Sequence, residues 1–362
     1  MLTYRYKLYR SKNEKYLEAY NGIACEIWNH CIALHRRYYR LYGKHLNKYV
    51  LMKHMTKLKK LPKYTHWKKL NSQAIQNVVE RIDRSYKAFF EHVKQKRSGR
   101  KAPPHFCKRK NYRSFTLKQT GYVIDGNTVY IMGRRYKFFR SRDIEGNIKT
   151  VTVKKMPTGD WYLCVTTDHK AKRDYARTGE AVGMDFGFKS FLVLSDGTKI
   201  ISPEWLRQSL PELRRLSRNL SLKKEGSRNY EKAKRARAKL YEHIAAQRRD
   251  FFFLLANELC RKYDVIGIED LNLKGMQALW GRKESDLAYG EFVQILEYVA
   301  ASSGRKVVKI DRWAPTTKTC SECGCRVDLS LKDRHWVCPH CGAHHDRDVN
   351  AAINIKNLAL AA

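Results

Sequence analysis

The chain has 362 residues, with 73 Lys and Arg against 35 Asp and Glu, giving a net charge of +38 and a pI near 9.9. A hydrophobic share of 43% excludes an intrinsically disordered chain, and so large a charge excess opposes compaction unless a polyanion neutralises it, which points to nucleic acid. No apolar run is long enough to span a bilayer, and the opening MLTYRYKLYR lacks the apolar centre of a signal peptide, so a cytoplasmic, nucleoid-associated protein with no membrane partner is expected.

The first 110 residues carry 28 Lys and Arg against 6 Asp and Glu, more than half of the whole excess, which marks a dedicated nucleic-acid surface. Residues 1–10 alternate and are rich in Tyr, predicting a strand. From residue 13 to about 96 the period becomes helical. Ile23, Ile27, Cys31 and Leu34 share a face, a second helix is expected near 49–61, and a third over 72–96 carries Ile75, Val78, Val79, Ile82, Tyr86 and Phe89. Tyr38, Tyr39 and Tyr42 read as core or snorkelling side chains, with base stacking as the alternative. KRSGRKAPPHF breaks the helix at Gly99, Pro103 and Pro104. Residues 112–169 read as short strands, with hairpin turns at Asp125 to Asn127 and at Pro157 to Asp160. A small β-domain thus encloses the helical segment.

At residue 181 strands and helices begin to alternate, which defines an α/β region. AVGMDFGFKSFLVLSDG gives two apolar strands, a long basic helical region follows over 204–262, and YDVIGIEDLNLKGM holds a buried-type strand. An amphipathic helix over 286–303 and the strand GRKVVKID complete the region.

Cys320-x-x-Cys323 and Cys338-x-x-Cys341, each followed by a glycine that permits a tight knuckle, stand fourteen residues apart. Four thiolates at this spacing close the tetrahedral shell of one structural zinc, with a redox pair as the alternative. Cys325 falls off the spacing. His340, His344 and His345 could compete as ligands, but four cysteines leave no position for them.

Asp185 in VGMDFG and Glu269 in VIGIEDL each follow apolar strand residues, and a buried acid without a basic neighbour needs a cation or hydrogen bonds. With an Asp at the start of the last helix they would form three carboxylates from separate elements, a set able to hold two magnesium ions across a phosphodiester. The alternative is a capping or edge role for each acid. Asp270 faces the opposite side of its strand from Glu269.

GMDFGFKSFLVLSDG, YDVIGIEDLNLKGM, GRKVVKIDRWAPTTKTCSECG and CPHCGAHHDRDVNAAINI, in this order, resemble the TnpB family of transposon-encoded RNA-guided DNA endonucleases, relatives of type V CRISPR effectors. The resemblance is strong over residues 181–362 and one of organisation before them. It implies an α+β multidomain chain: a wedge-type β-barrel over 1–11 and 110–180, a helical recognition domain over 12–109, an RNase H-like (RuvC) α/β nuclease domain over 181–318 and 346–362, and a zinc ribbon over 319–345. It also implies that Asp185, Glu269 and Asp348 are the catalytic acids and magnesium ligands, Asp348 being the acid of the D-x-N-A-A pattern; Asp346, two residues earlier and so on another face, is expected to cap the helix or to orient Arg347 and the zinc-side loop. The partners implied are a guide RNA, target double-stranded DNA and its displaced strand. A miniature type V effector and a cleavage-deficient, guide-dependent repressor share most of these features, and a strand-transfer transposase is a further alternative. One departure from the family is visible after RRDF, where Phe252, Phe253 and Leu254 read as additional core packing.

Overall fold

Tyr4 and Tyr6 are buried while Thr3, Arg5 and Lys7 stay exposed, the period of two that makes Leu2–Lys7 a one-sided strand, β1. The structure, a computed structural model, describes residues 1–96, 101–270, 287–330 and 333–362. The Gly99 break, the tail of the YDVIGIEDLNLKGM motif and residue 286 of the expected helix lie outside the described residues. The chain divides into two units, Met1–Lys170 and Ala171–Ala362.

In the first unit, β1 pairs antiparallel with β7 (Trp161–Thr167), the last strand of the unit, so the N-terminus closes a sheet of order β1-β7-β6-β2, with β6 at Ile148–Lys155 and β2 at Ser114–Leu117. A separate three-stranded sheet is formed by β3 (Tyr122–Asp125), β4 (Thr128–Ile131) and β5 (Arg134–Lys137). Both expected hairpin turns fall between strands, β3 to β4 and β6 to β7. Helices α1 (Glu14–Tyr42), α2 (Lys48–Leu58) and α3 (Ser72–Lys94) form the helical segment. Ile23, Ile27 and Cys31 of α1 and Val78, Val79 and Ile82 of α3 enter one continuous core with Phe115, Val153 and Leu163 of the sheet. Tyr39 and Tyr42 stand in solvent instead.

The second unit is built on a five-stranded sheet of order β10-β9-β8-β11-β12, comprising β8 (Ala181–Phe186), β9 (Leu192–Leu194), β10 (Lys199–Ile200), β11 (Val265–Glu269) and β12 (Lys306–Ile310). β8, β11 and β12 are parallel, and β9 and β10 extend the sheet antiparallel. A short helix α4 (Trp205–Gln208) and a basic pair, α5 (Leu210–Ser221) and α6 (Arg228–Lys262), separate β10 from β11; α7 (Tyr289–Ser303) precedes β12. Val182, Met184, Ile266 and Ile268 point to one sheet face, where Phe252, Leu255 and Leu259 of α6 and Phe292, Leu296 and Val299 of α7 cover them. Each such side chain contributes about 1.5–3 kcal/mol of burial. The expectation that Phe252, Phe253 and Leu254 all join the core needs correction. Phe252 is buried and Phe253 partly so, but Leu254 is 64% exposed, because a helix turns about 100° per residue and carries the third side chain away. The opposite sheet face is covered by the last helix, α8 (Arg347–Leu360), through Ile355 and Ala359 against Val308 and Ile310. Among the described residues no helix is long and apolar enough to cross a membrane.

Candidate active site and zinc module

Two strands of the second sheet carry the same four-residue pattern: Val182-Gly183-Met184-Asp185 in β8 and Ile266-Gly267-Ile268-Glu269 in β11. Their register pairs Gly183 with Gly267 and Met184 with Ile268. Alternation sends Val182, Met184, Ile266 and Ile268 to the α6–α7 face, and the two glycines and the two acids to the α8 face. The glycines are spacers. A Cβ on Gly183 would lie 2.0 Å from the Ala352 carbonyl oxygen and 2.4 Å from the Lys356 nitrogen, and one on Gly267 would lie 2.7 Å from the Ala359 Cβ. α8 therefore rests on bare backbone, and its N-terminal turn comes to the strand ends where Asp185 and Glu269 stand.

That turn is capped by Asp346, whose Oδ1 accepts from the backbone N–H groups of Asp348 (3.0 Å) and Val349 (3.2 Å). Burial works to raise the Asp346 carboxyl, but Lys199 at 2.6 Å and the two backbone donors outweigh it and hold the group below its ordinary range. Asp346 is thus a cap, as its place two residues before Asp348 suggests.

Asp185, Glu269 and Asp348 are partly buried. Asp185 is pushed up to about 8, first by burial and then by the charges of Glu269 and Asp348, with Arg347 opposing. Asp185 thus lies within electrostatic reach of both Glu269 and Asp348. Asp185 resists ionisation mainly because it is buried and secondly because of its two acidic neighbours, and a hard divalent cation beside it would offset both; the three acids do not converge on a single ligand point as the cysteines do. Three further side chains hold Glu269 and Asp348 in place. Thr316 Oγ1 donates to Glu269 Oε1 at 2.7 Å, and Arg334 Nη1 donates to Asp348 Oδ2 at 3.0 Å, joined by Arg347 Nε to Oδ1 at 3.3 Å. Asp270, on the other side of its strand, forms an ion pair with Arg312.

Between β12 and α8 the chain makes the cysteine module. The four Sγ atoms of Cys320, Cys323, Cys338 and Cys341 lie within 4.8 Å of one another, with Cys320–Cys341 and Cys323–Cys338 both at 3.7 Å. Sulfurs about 2.3 Å from a tetrahedral zinc stand about 3.8 Å apart, so the four residues fit that ion. Each pair folds as a knuckle: the Gly324 N–H donates to the Cys320 carbonyl and the Gly342 N–H to the Cys338 carbonyl. The backbone N–H of Cys341 lowers the Cys338 thiol, while Cys323 and Cys341 beside it are raised, so the thiols resist ionising together unless a cation replaces their protons. Cys325 and His340 lie close enough to Cys323 to form a second candidate group, although Cys325 is off the sequence spacing. His345 is buried against Trp336, on β13 (His335–Val337), with its Nε2 3.1 Å from Cys320 Sγ, beside the ligand set rather than within it. It lies on β14 (His344–Asp346), which pairs with β13.

The module is clasped where it leaves and rejoins the sheet. Asn350, fully buried on α8, accepts from the Ser321 N–H and donates to the Thr319 carbonyl, both at 2.8 Å, and Asn354 donates to the carbonyls of Thr316 and Thr319. Sequence reasoning missed Thr316, Arg334, Asn350 and Asn354 as site-building residues. Only Asn350 left a signal, as the polar member of an otherwise apolar helix face next to Asp348.

Residues 162–279 match the family described as “Probable transposase” (OrfB_IS605), and residues 289–355 match “Cas12f1-like, TNB domain”. “Putative RNA-guided DNA endonuclease” of Streptomyces pristinaespiralis is 40% identical over 216 residues, 59% of this chain and 53% of that one, so the match spans about half the length of this relative. “Putative RNA-guided DNA endonuclease InsQ” of Escherichia coli (strain K12) is 29% identical over 313 residues, 80% of this chain and 75% of that one. In structure, the chain resembles that of the “Cryo-EM structure of the Cas12f1-sgRNA-target DNA complex”, with a TM-score of 0.62 and 18% identity over 96% of this chain and 83% of the other. The fold is thus of the mixed α+β kind seen in Cas12f1. Over these stretches the chain is similar to the IS605 OrfB transposases and to relatives named as RNA-guided DNA endonucleases.

Proposed function

We propose that the chain is an RNA-guided DNA endonuclease that uses Asp185, Glu269 and Asp348 to cut a phosphodiester. The observation that carries this reading is that the first two acids stand on the α8 face of adjacent parallel strands, where Asp348 bears on Asp185. The five-stranded sheet with α8 is the RuvC-like, RNase H-type domain, residues 319–345 are a zinc ribbon, residues 12–109 serve for recognition, and 1–11 with 110–180 form the wedge. The names of the curated relatives and the basic surface support guide RNA and target DNA as partners, in a cytoplasmic, nucleoid-associated setting. A short motif beside the target would be read on the duplex.

The three acids would hold magnesium, two ions in this reading, which supplies a lowered water pKa and charge neutralisation at the attacking and leaving oxygens. The chain's own residues do the positioning. Thr316 fixes the Glu269 carboxylate, the Asp346 cap sets the first turn of α8 and so the direction of Asp348, and Arg334 and Arg347 offset the charge that gathers as a phosphate approaches.

The test is to purify the full chain, sequence the RNA that accompanies it, and assay a plasmid bearing the guide's complement. Cleavage is expected to need magnesium, to stop with EDTA, and to fall by at least about a hundred-fold in Asp185→Ala. Absence of a discrete RNA, or full cleavage by Asp185→Ala with RNA still bound, overturns the reading.

A further inference from the structure

Trp313 is 83% exposed, whereas Trp67 and Trp161 are buried. A side chain offering roughly 150–250 Å² of mostly apolar surface is left in water here, and among the described residues no ring or cation packs on its faces. Its loop is not loose. The Trp313 N–H donates to Asp311 Oδ1, the Ala314 N–H to the Asp311 carbonyl, and the preceding Arg312 is pinned to Asp270. On the other side Ala314 packs on the core under α8, and Thr316 is tied to Glu269 and, through its carbonyl, to Asn354. The backbone is braced at both ends, and the one large apolar group it carries points outward.

The place of that group is informative. β12 ends at Ile310, which pairs with Glu269, so Trp313 leaves the sheet at the carboxyl ends of the parallel strands, the edge that holds Asp185 and Glu269 and where open α/β sheets take their ligands. Three residues span at most about 11 Å, so its backbone lies within that distance of Thr316, the partner of Glu269. At about 3.4 Å per stacked nucleotide this is a reach of about three nucleotides. A flat, amphipathic, rigidly mounted ring beside a set of carboxylates, on a chain of net charge +38, matches the way proteins grip single strands: phosphates held by cations, bases stacked on aromatic faces.

We propose that the Trp313 indole is a stacking platform for a nucleobase of the DNA strand entering the carboxylate site, about one to three nucleotides from the phosphate to be cut. The inference rests on the nuclease reading for the identity of that strand and for the cut phosphate, not for the stacking itself. Trp313 is a positioning residue: by fixing one base it limits where the backbone crosses the acids, and it does so without reading sequence, because every base has a face to offer.

The experiment uses the full chain as purified with its RNA, with calcium in place of magnesium so that the probe stays intact. Single-stranded DNA carrying one 5-iodouracil, moved stepwise along the probe, is irradiated and the tryptic peptides are mapped. An adduct on Trp313 at a few adjacent probe positions is expected, retained at residue 313 in Trp313→Phe and absent in Trp313→Ala. With 2-aminopurine at the same positions, quenching on binding should be lost in Trp313→Ala, and affinity at about 0.3 M salt should fall roughly five- to a hundred-fold. Adducts only at other residues, or undiminished quenching in Trp313→Ala, overturn the platform and leave the indole as a contact for a protein partner. A Trp313 adduct together with full cleavage by Asp185→Ala would instead sink the nuclease reading and keep the platform, so the two failures are distinct.

Discussion

His35 shows what a single buried polar side chain does in the first unit. Its ring forms a triangle with those of His45 and Tyr86, at 4.9 and 4.5 Å, and burial, reinforced by the neighbouring His45, lowers it to about 4 although Asp83 pulls the other way. Lys87 also reaches Asp83, which diverts some of that carboxylate's charge from the histidines. The folded-state value lies below that of the unfolded chain, near 6.5. The stability tied to neutral His35 is therefore fully present above about pH 6.5 and is lost as pH falls towards 4, by up to about 3 kcal/mol. In His35→Leu, the thermal midpoint should fall less between pH 7 and 4.5 than in the wild type. Parallel pH profiles for the two proteins would remove His35 as the acid-sensitive group.

The relation of α8 to the sheet governs the candidate site at the scale of elements. Gly183→Ala places a methyl against the backbone of α8, and helix or strand must move. Overpacking of this kind costs about 1–3 kcal/mol. The larger effect is expected on chemistry: a shift of about 1 Å in α8 displaces Asp348 from Asp185 and should reduce cleavage roughly a hundred-fold, with guide-RNA affinity unchanged. A variant that cleaves normally while melting lower would show that the acids do not depend on this contact. The strands themselves were legible, since period-two alternation in residues 1–10 and the apolar runs around Asp185 and Glu269 are local signals. The Gly-x-acid pattern was not, because a glycine in a strand can mean a bulge or a close approach, and only the helix that arrives some 170 residues later decides. Leu254 failed for a related reason, since composition shows an apolar run but not which side of a helix meets the sheet. Thr316 and Arg334 reach their acids from other elements, which no local period records.

Over the whole molecule the cysteine module was the most legible part, its four thiols being set by spacing, whereas its attachment to the rest of the second unit became visible only in space. Zinc removal should therefore act at a distance. Stripping the metal with a strong chelator, or Cys338→Ser, is expected to expose the amides of residues 319–345 to hydrogen exchange while those of β8 and β11 stay protected. Cleavage should fall as well, because Arg334 and the Thr319 backbone are then no longer held against α8. Unchanged protection of 319–345 in zinc-free protein would show that the thiolates are not a structural site.

The Asn350–Asn354 clasp has one more consequence. It joins Thr316, Thr319 and Ser321 on the outgoing chain to α8 on the returning one, so whatever lies between begins and ends at a single closed neck. Beyond such a neck, added chain length costs little, since each doubling of a loop costs only about 0.6 kcal/mol. The neck is a docking port in the engineering sense: a segment of different length or composition can be spliced there while the sheet and the helix keep their places, provided it supplies a cation where Arg334 meets Asp348.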